Sequence, residues 1–213
     1  MLHRNTSGLL IALEGIDGSG TTTQAERLVA WMRSAGHAVH ATREPSTGPV
    51  GVELRAILGG AHAPMDRGAV ALLFAADRLD HLAREIEPAL AAGTHVVTDR
   101  YVMSSLAYQS VDLDRDLVAS WNARARPADL TLLLDVPATT GAARRRARGG
   151  SDEIFDGLAF QEAVVANYRS EVARLRAAGG RVVVIDGTAS VDEVAAAVRA
   201  EVESCLAATR AAS

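Results

Sequence analysis

The sequence contains no lysine: all 22 of its basic residues are arginine, so every strong cation is a guanidinium. Nor do basic residues outnumber the 26 acidic ones, and a formal net charge of −4 gives the whole molecule no attraction for a nucleic-acid backbone or an anionic membrane. Cysteine is nearly absent. Cys205 alone cannot close an internal disulfide, which fits a reduced, cytoplasmic setting and a simple role as a small apolar helix residue. The N-terminal apolar run Leu9 to Leu13 is too short for the core of a signal peptide. Long hydrophobic runs are also missing: the longest, around Ala69 to Ala76, meets Asp77 and Arg78 before reaching the roughly 18 to 20 residues that a bilayer requires. No internal repeat occurs. The six histidines show no metal-ligand spacing with cysteines or acids, so surface or structural roles are expected for them.

What is present is an ordinary globular composition, 213 residues of which 48% are hydrophobic, enough to bury one core and expected to form one domain over 1–213. Apolar runs of strand length stand at Leu9 to Leu13, Ala38 to Thr42, His95 to Thr98, Leu130 to Val136 and Arg181 to Ile185. They are continuous rather than alternating, the pattern of parallel strands covered on both faces. Helices are expected at Thr22 to Ala35, Gly51 to Leu58, Arg67 to Ala92, Asp114 to Ala125, Phe155 to Ala178 and Val191 to Ala207, with a capping box at Ser190 and Glu193. The alternation predicts a three-layer α/β fold with a five-stranded parallel sheet. Ligands in such sheets sit at the carboxyl ends of the strands. The informative segments are therefore Glu14 to Thr23, Arg43 to Gly48, Asp99 to Gln109 and the arginine-rich Gly141 to Asp156.

After the first strand comes Gly15-Ile16-Asp17-Gly18-Ser19-Gly20-Thr21-Thr22, the spacing of a phosphate-binding loop with threonine at the lysine position. Its glycines let successive N–H groups converge on one anion, and the following helix adds the positive end of its dipole. The hydroxyl of Thr22 stands where such loops join Mg²⁺ coordination. The ammonium that normally reaches the β- and γ-phosphates is gone, and Thr21 is neutral and too short to replace it. Either another cation enters or turnover falls, by a factor on the order of 10² to 10³ for one lost transition-state donor.

That loop, followed by Thr42-Arg43-Glu44-Pro45, Phe74-Ala75-Ala76-Asp77-Arg78, Asp99-Arg100-Tyr101, Ser104-Ser105 and Ala107-Tyr108-Gln109, resembles the thymidylate kinase family from about Leu9 to Ala178. The resemblance implies a P-loop kinase that transfers the γ-phosphoryl group of ATP to dTMP with Mg²⁺, a homodimer, for which the long apolar helix from Arg67 to Ala92 is a candidate interface, and a place on the route to dTTP. It implies ATP binding by Gly15 through Thr23, with Thr23 closing the motif, and by Arg144. Arg43 and Arg100 would hold the acceptor phosphate, Phe74 would stack on thymine, and Arg78 would bond the base edge. Tyr108 would pack against the sugar carbon that lacks a hydroxyl, with Gln109, Ser104 and Ser105 beside the nucleoside. Asp17 would reach the acceptor sugar or a metal-bound water. Asp99 would organise Mg²⁺ through water or orient a phosphate oxygen.

The run Arg144-Arg145-Arg146-Ala147-Arg148 reads alone as a solvated face or a nucleic-acid contact; placed after a strand and before Gly149-Gly150, it reads better as a lid over about 138–156. Arg148 and Arg145 are the lid residues expected to reach the phosphates, a route by which charge returns to the loop. The family's usual aspartate–arginine pair reads Asp152-Glu153 here. Glu44 reads either as a catalytic carboxylate or as a residue that shapes the turn before Pro45, the turn being favoured, and Trp31 and Trp121 are expected to pack. Two other readings are a kinase acting on another deoxynucleotide or deoxynucleoside, and a non-catalytic nucleotide-binding relative.

Overall fold

The computed structural model describes residues 8–147, 149 and 157–211. Five parallel strands, β1 (Leu10–Glu14), β2 (Val39–Arg43), β3 (His95–Asp99), β4 (Leu130–Asp135) and β5 (Val182–Asp186), form a sheet in the order β2-β3-β1-β4-β5. β1 is buried along its whole length because both sheet faces are covered. On one face Ile11 and Leu13 pack with α1 (Thr21–Ser34) and α9 (Val191–Ala211) through Leu28, Met32, Val198 and Val202, and Cys205 closes that core with Trp31 packed against it. On the other, Leu10 and Ala12 meet Leu82, Ile86 and Leu90.

Those last three residues lie on a helical run that the sequence predicts as continuous from Arg67 to Ala92. The structure divides it: α3 (Arg67–His81) passes through a π-helical turn, Leu82–Ile86, into α4 (Glu87–Ala91). Pro88 sits in the first turn of α4, where its missing N–H costs least. Two further helices differ from expectation by existing at all: α5 (Val102–Tyr108) and α7 (Ala138–Ala147) lie within stretches marked only as functional loops. The remaining helices are α2 (Pro49–Leu58), α6 (Arg115–Asn122) and α8 (Leu158–Ala177). α6 starts one residue late because Asp114 is its cap, accepting from the Leu117 N–H. The capping box of α9 is present, with Ser190 N–H donating to Glu193 Oε2 at 3.0 Å and Glu193 N–H donating to Ser190 Oγ at 3.3 Å.

β1 lies between β3 and β4, which lead away in opposite directions, so the crevice opens past its carboxyl end. In the ladder, Leu13 pairs with Asp99 and Arg43 also pairs with Asp99, which puts the ends of β1, β2 and β3 side by side.

Candidate active site

The chain leaves β1 through Glu14 into the glycine-rich loop and enters α1 at Thr21. Glu14 is fully buried, its Oε1 accepting from the N–H groups of Tyr101 and Ser104 and its Oε2 from Ser104 Oγ at 2.5 Å. Burial pushes its carboxyl up to about 7, while the Ser104 bond and the Arg100 charge pull it down. Gly18 has a φ of +86°, and a Cβ there would stand 2.4 Å from the carbonyl oxygen of Gly141 on α7. α7 is thus seated directly on the loop, a contact only a missing side chain permits. From this helix Arg144 donates to Gly187 O at 2.9 Å and Ser19 O at 3.4 Å, and Arg145 donates to Asp17 O at 2.9 Å.

Two cavities flank the loop. The larger, of about 460 Å³, holds Asp17 and Thr22 at its loop end and reaches Phe74, Arg78, Ser105 and Gln109 at the other. Arg43, Asp99, Arg100, Ser104 and Tyr108 complete the expected set on its walls. Arg100, held at a φ of +72°, donates to Gly15 O at 3.0 Å and to Asp17 Oδ1 at 2.5 Å, with its guanidinium 5.1 Å from the centre of the Tyr108 ring. Burial keeps the Tyr108 phenol protonated above its usual range, so its hydroxyl is a donor, to Asp17 Oδ2 at 3.0 Å. The smaller cavity, of about 280 Å³, is bounded by Gly18, Gly20, Thr23 and Arg144 on one side and Gly187, Ala189 and Val191 on the other. Ile16, Ser19 and Thr21 are buried within the loop itself.

At the deep end of the large cavity Arg78 is 1% exposed, and each of its five N–H groups already has an acceptor. Nε and Nη2 reach Glu44 Oε2 at 2.9 and 2.6 Å; Nη2 also reaches Tyr101 O at 3.1 Å; Nη1 reaches Ser105 Oγ at 3.1 Å and Asn122 Oδ1. A buried guanidinium is stable only with such a set of partners. His81 Nδ1 lies 3.4 Å from Glu44 Oε1 and its Nε2 is 2.7 Å from Thr42 Oγ1, a structural histidine. Glu44 therefore does more than shape a turn: it is the buried counter-charge of Arg78.

The sequence reading missed Glu44 as a site residue, along with Pro45, Arg55 and Leu58. Arg55, on α2, donates to Pro45 O and to Ser46 O at 2.6 Å, while Asp77 holds Ser46 through its N–H at 2.7 Å and its hydroxyl at 2.6 Å. One signal was available: Arg55 has no acidic residue three or four positions away to pair with on its own helix. Arg148 and the part of the expected lid at 150–156 lie outside the described residues.

A phosphate loop opening from the central strand of a parallel sheet, with a nucleotide-sized cavity on either side of it, defines a P-loop nucleotide kinase. The chain belongs to the thymidylate kinase family, whose model matches residues 13–198. It is 46% identical over 156 residues to the thymidylate kinase of Ruegeria pomeroyi, covering 70% of this chain and 74% of that protein. It is 44% identical over 177 residues to the thymidylate kinase of Geobacter sulfurreducens, covering 76% and 83%. A probable thymidylate kinase of Pyrobaculum aerophilum is 40% identical over 166 residues, covering 76% and 82%.

Proposed function

We propose that this chain is a dTMP kinase, ATP and dTMP giving ADP and dTDP, with ATP along the loop and dTMP in the larger cavity. The observation that carries this placement is the meeting of the cavity with the loop at Asp17 and Thr22, on walls that also hold Arg43, Arg55 and Arg100. Guanidinium forks match a phosphate's oxygens. An acceptor phosphate oxygen forms the new bond to the γ-phosphorus as the bond to the β–γ bridging oxygen breaks. That acceptor is already ionised near neutral pH, so alignment and charge neutralisation suffice and Asp99 is not needed as a base. Phe74 faces the nucleobase. A base carbonyl that reaches Arg78 must share or displace the Ser105 hydroxyl, since no donor of Arg78 is spare. The smaller cavity, with Arg144 on its wall, takes the adenine.

The residues suit Mg²⁺. Thr22 Oγ1 donates to Asp99 Oδ2 at 2.5 Å, and Asp99 Oδ1 is buried without a hydrogen-bond partner, two hard oxygen groups beside the phosphates. When bound, the ion would neutralise charge on the β- and γ-phosphates; Thr22 and Asp99 would hold it.

The kinase acts as a single domain whose lid begins on α7, as a cytoplasmic homodimer joined across α2 and α3, where Val52 and Leu72 are exposed apolar residues. Among the described residues no helix is long and apolar enough to cross a membrane. Sedimentation of Leu72→Glu, expected to be monomeric, checks the interface.

Coupled ADP release with dTMP, dUMP and dCMP tests the function. The expected result is a preference for dTMP by about tenfold or more in kcat/KM, roughly 1.4 kcal/mol; equal rates would overturn the acceptor assignment.

A further inference from the structure

Arg78 stands on the wall of the larger cavity with Nη1 bonded to Ser105 Oγ, the group that an incoming base carbonyl would share. Its aim depends on Glu44. Both Nε, at 2.9 Å, and Nη2, at 2.6 Å, donate to one carboxylate oxygen, Oε2. A fork closed on both oxygens would lock the carboxylate, whereas two bonds that converge on one oxygen leave it able to pivot about that atom. The hydrogen bond to the other oxygen, Oε1, comes from His81 Nδ1 at 3.4 Å. An ionised carboxylate only accepts, so Nδ1 is the donor in this pair.

His81 lines neither cavity, and its side chain is fully buried. It is braced from the far side. On β2, His40 and Thr42 are two residues apart and share a face of the strand; on the helix, His81 and Glu85 are four apart and share a face. The two faces meet. His81 Nε2 lies 2.7 Å from Thr42 Oγ1 and 3.5 Å from Glu85 Oε2, and Glu85 Oε1 lies 2.6 Å from His40 Nε2. The π-helical turn that carries Glu85 begins one residue after His81, and such turns recur at functional sites.

We propose that His81 is a positioning residue for nucleobase selection: its bond to Glu44 Oε1 stops the carboxylate from pivoting, and the fixed carboxylate aims the Arg78 guanidinium at a carbonyl of the base. Thymine carries a carbonyl where cytosine carries an amino group, so a guanidinium, which can only donate, prefers thymine. That preference depends on alignment. A site built to hydrogen-bond one base rejects the other because its buried donor is then left unpaired, and a guanidinium free to turn away escapes that penalty. The assignment rests on the placement of dTMP in the larger cavity proposed above.

The test compares His81→Asn with His81→Gln, assayed for kcat/KM on dTMP and on dCMP. Asparagine puts its amide nitrogen near the place of Nδ1 and glutamine near that of Nε2, so the first keeps the donor to Glu44 and the second keeps the contact with Thr42. Both remove the buried ring, so a histidine that only packs would make the two variants alike. His81→Asn should hold the wild-type preference for dTMP over dCMP to within about threefold. His81→Gln should lose about tenfold of that preference or more, chiefly as a raised KM for dTMP, with kcat changed by less than about threefold. Thr42→Val, which suits a strand but removes the hydroxyl that braces Nε2, should lose about threefold or more, and it decides the question if neither His81 variant folds. Equal preferences in the two His81 variants, a loss confined to His81→Asn, or an unchanged preference in Thr42→Val overturns the assignment and leaves the functional reading intact. Wild-type enzyme that does not prefer dTMP overturns both.

Discussion

The two sides of the phosphate loop are built on opposite principles. Toward the larger cavity, the proposed acceptor side, the wall is a polar network: Arg78 with Glu44 and Asp77 with Ser46 are buried, and Arg100 with Asp17 is partly exposed. Toward the smaller cavity, the proposed donor side, the wall is mostly glycine, alanine and valine, joined by Thr23, Gln24 and Arg144. A network of this kind recognises by geometry, because shifting one member strands the others in a medium that cannot solvate them. A thin apolar cleft with one planar cation recognises by shape and tolerates change. The acceptor side is therefore where substitution should cost folding as well as binding, and the donor side where it should cost binding alone.

The sharpest way to break this contrast is Glu44→Ala. It leaves two donor groups of Arg78 and one side of His81 without a partner in the core. The expected loss is about 3 to 5 kcal/mol of stability, a Tm lower by about 6 to 20 °C for a chain of this size, with dTMP binding abolished; calorimetric melting and titration report both. A Tm within about 2 °C of wild type would make the network ornamental.

Gly18→Ala is the donor-side counterpart, forcing a methyl against Gly141 O at a φ of +86°. A cost of about 1 to 3 kcal/mol and a weakening of ATP binding by about tenfold or more are expected, while dTMP affinity shifts less than about threefold. Titration of the two nucleotides separately distinguishes a local from a shared effect.

The smallest effect belongs to Glu14, where the two sides meet. Its carboxyl titrates near 7 when folded against the usual 4.5, so the native state holds the proton more tightly than the unfolded chain. Stability from this group is complete below about pH 4.5 and declines as pH rises through 7. Glu14→Gln, which resembles the protonated form, should flatten the fall of Tm between pH 5 and 8 by less than one proton's worth of slope. An identical slope in both proteins would remove Glu14 from the pH response.

Much of this was legible in the chain. Strands buried on both faces are written as uninterrupted apolar runs, which is why all five, and the loop after β1, are placed to within a residue or two. α5 and α7 were not, for different reasons. Seven residues give too few turns for a 3.6-residue period to declare itself, and the arginines of α7 hide a helix that has little apolar face to show. The expected acceptor residues do share one cavity, yet their partners were invisible: Glu44 finds Arg78 across 34 positions and Arg78 finds Asn122 across 44. Sequence adjacency carries no trace of such closures. The resemblance supplied Arg78 as a base reader, but only the folded chain shows that every hand of that guanidinium is already taken.

One pairing sets the gauge of the whole machine. Arg43 and Asp99 are register partners at the ends of adjacent parallel strands. Their spacing is therefore that of the ladder, roughly 4.8 Å, and is ruled by main-chain geometry rather than by any side chain. The loop carries threonine at its lysine position without any change to this ladder. β2 cannot slip by a single position, because every alternate residue would turn over and carry the guanidinium to the wrong face.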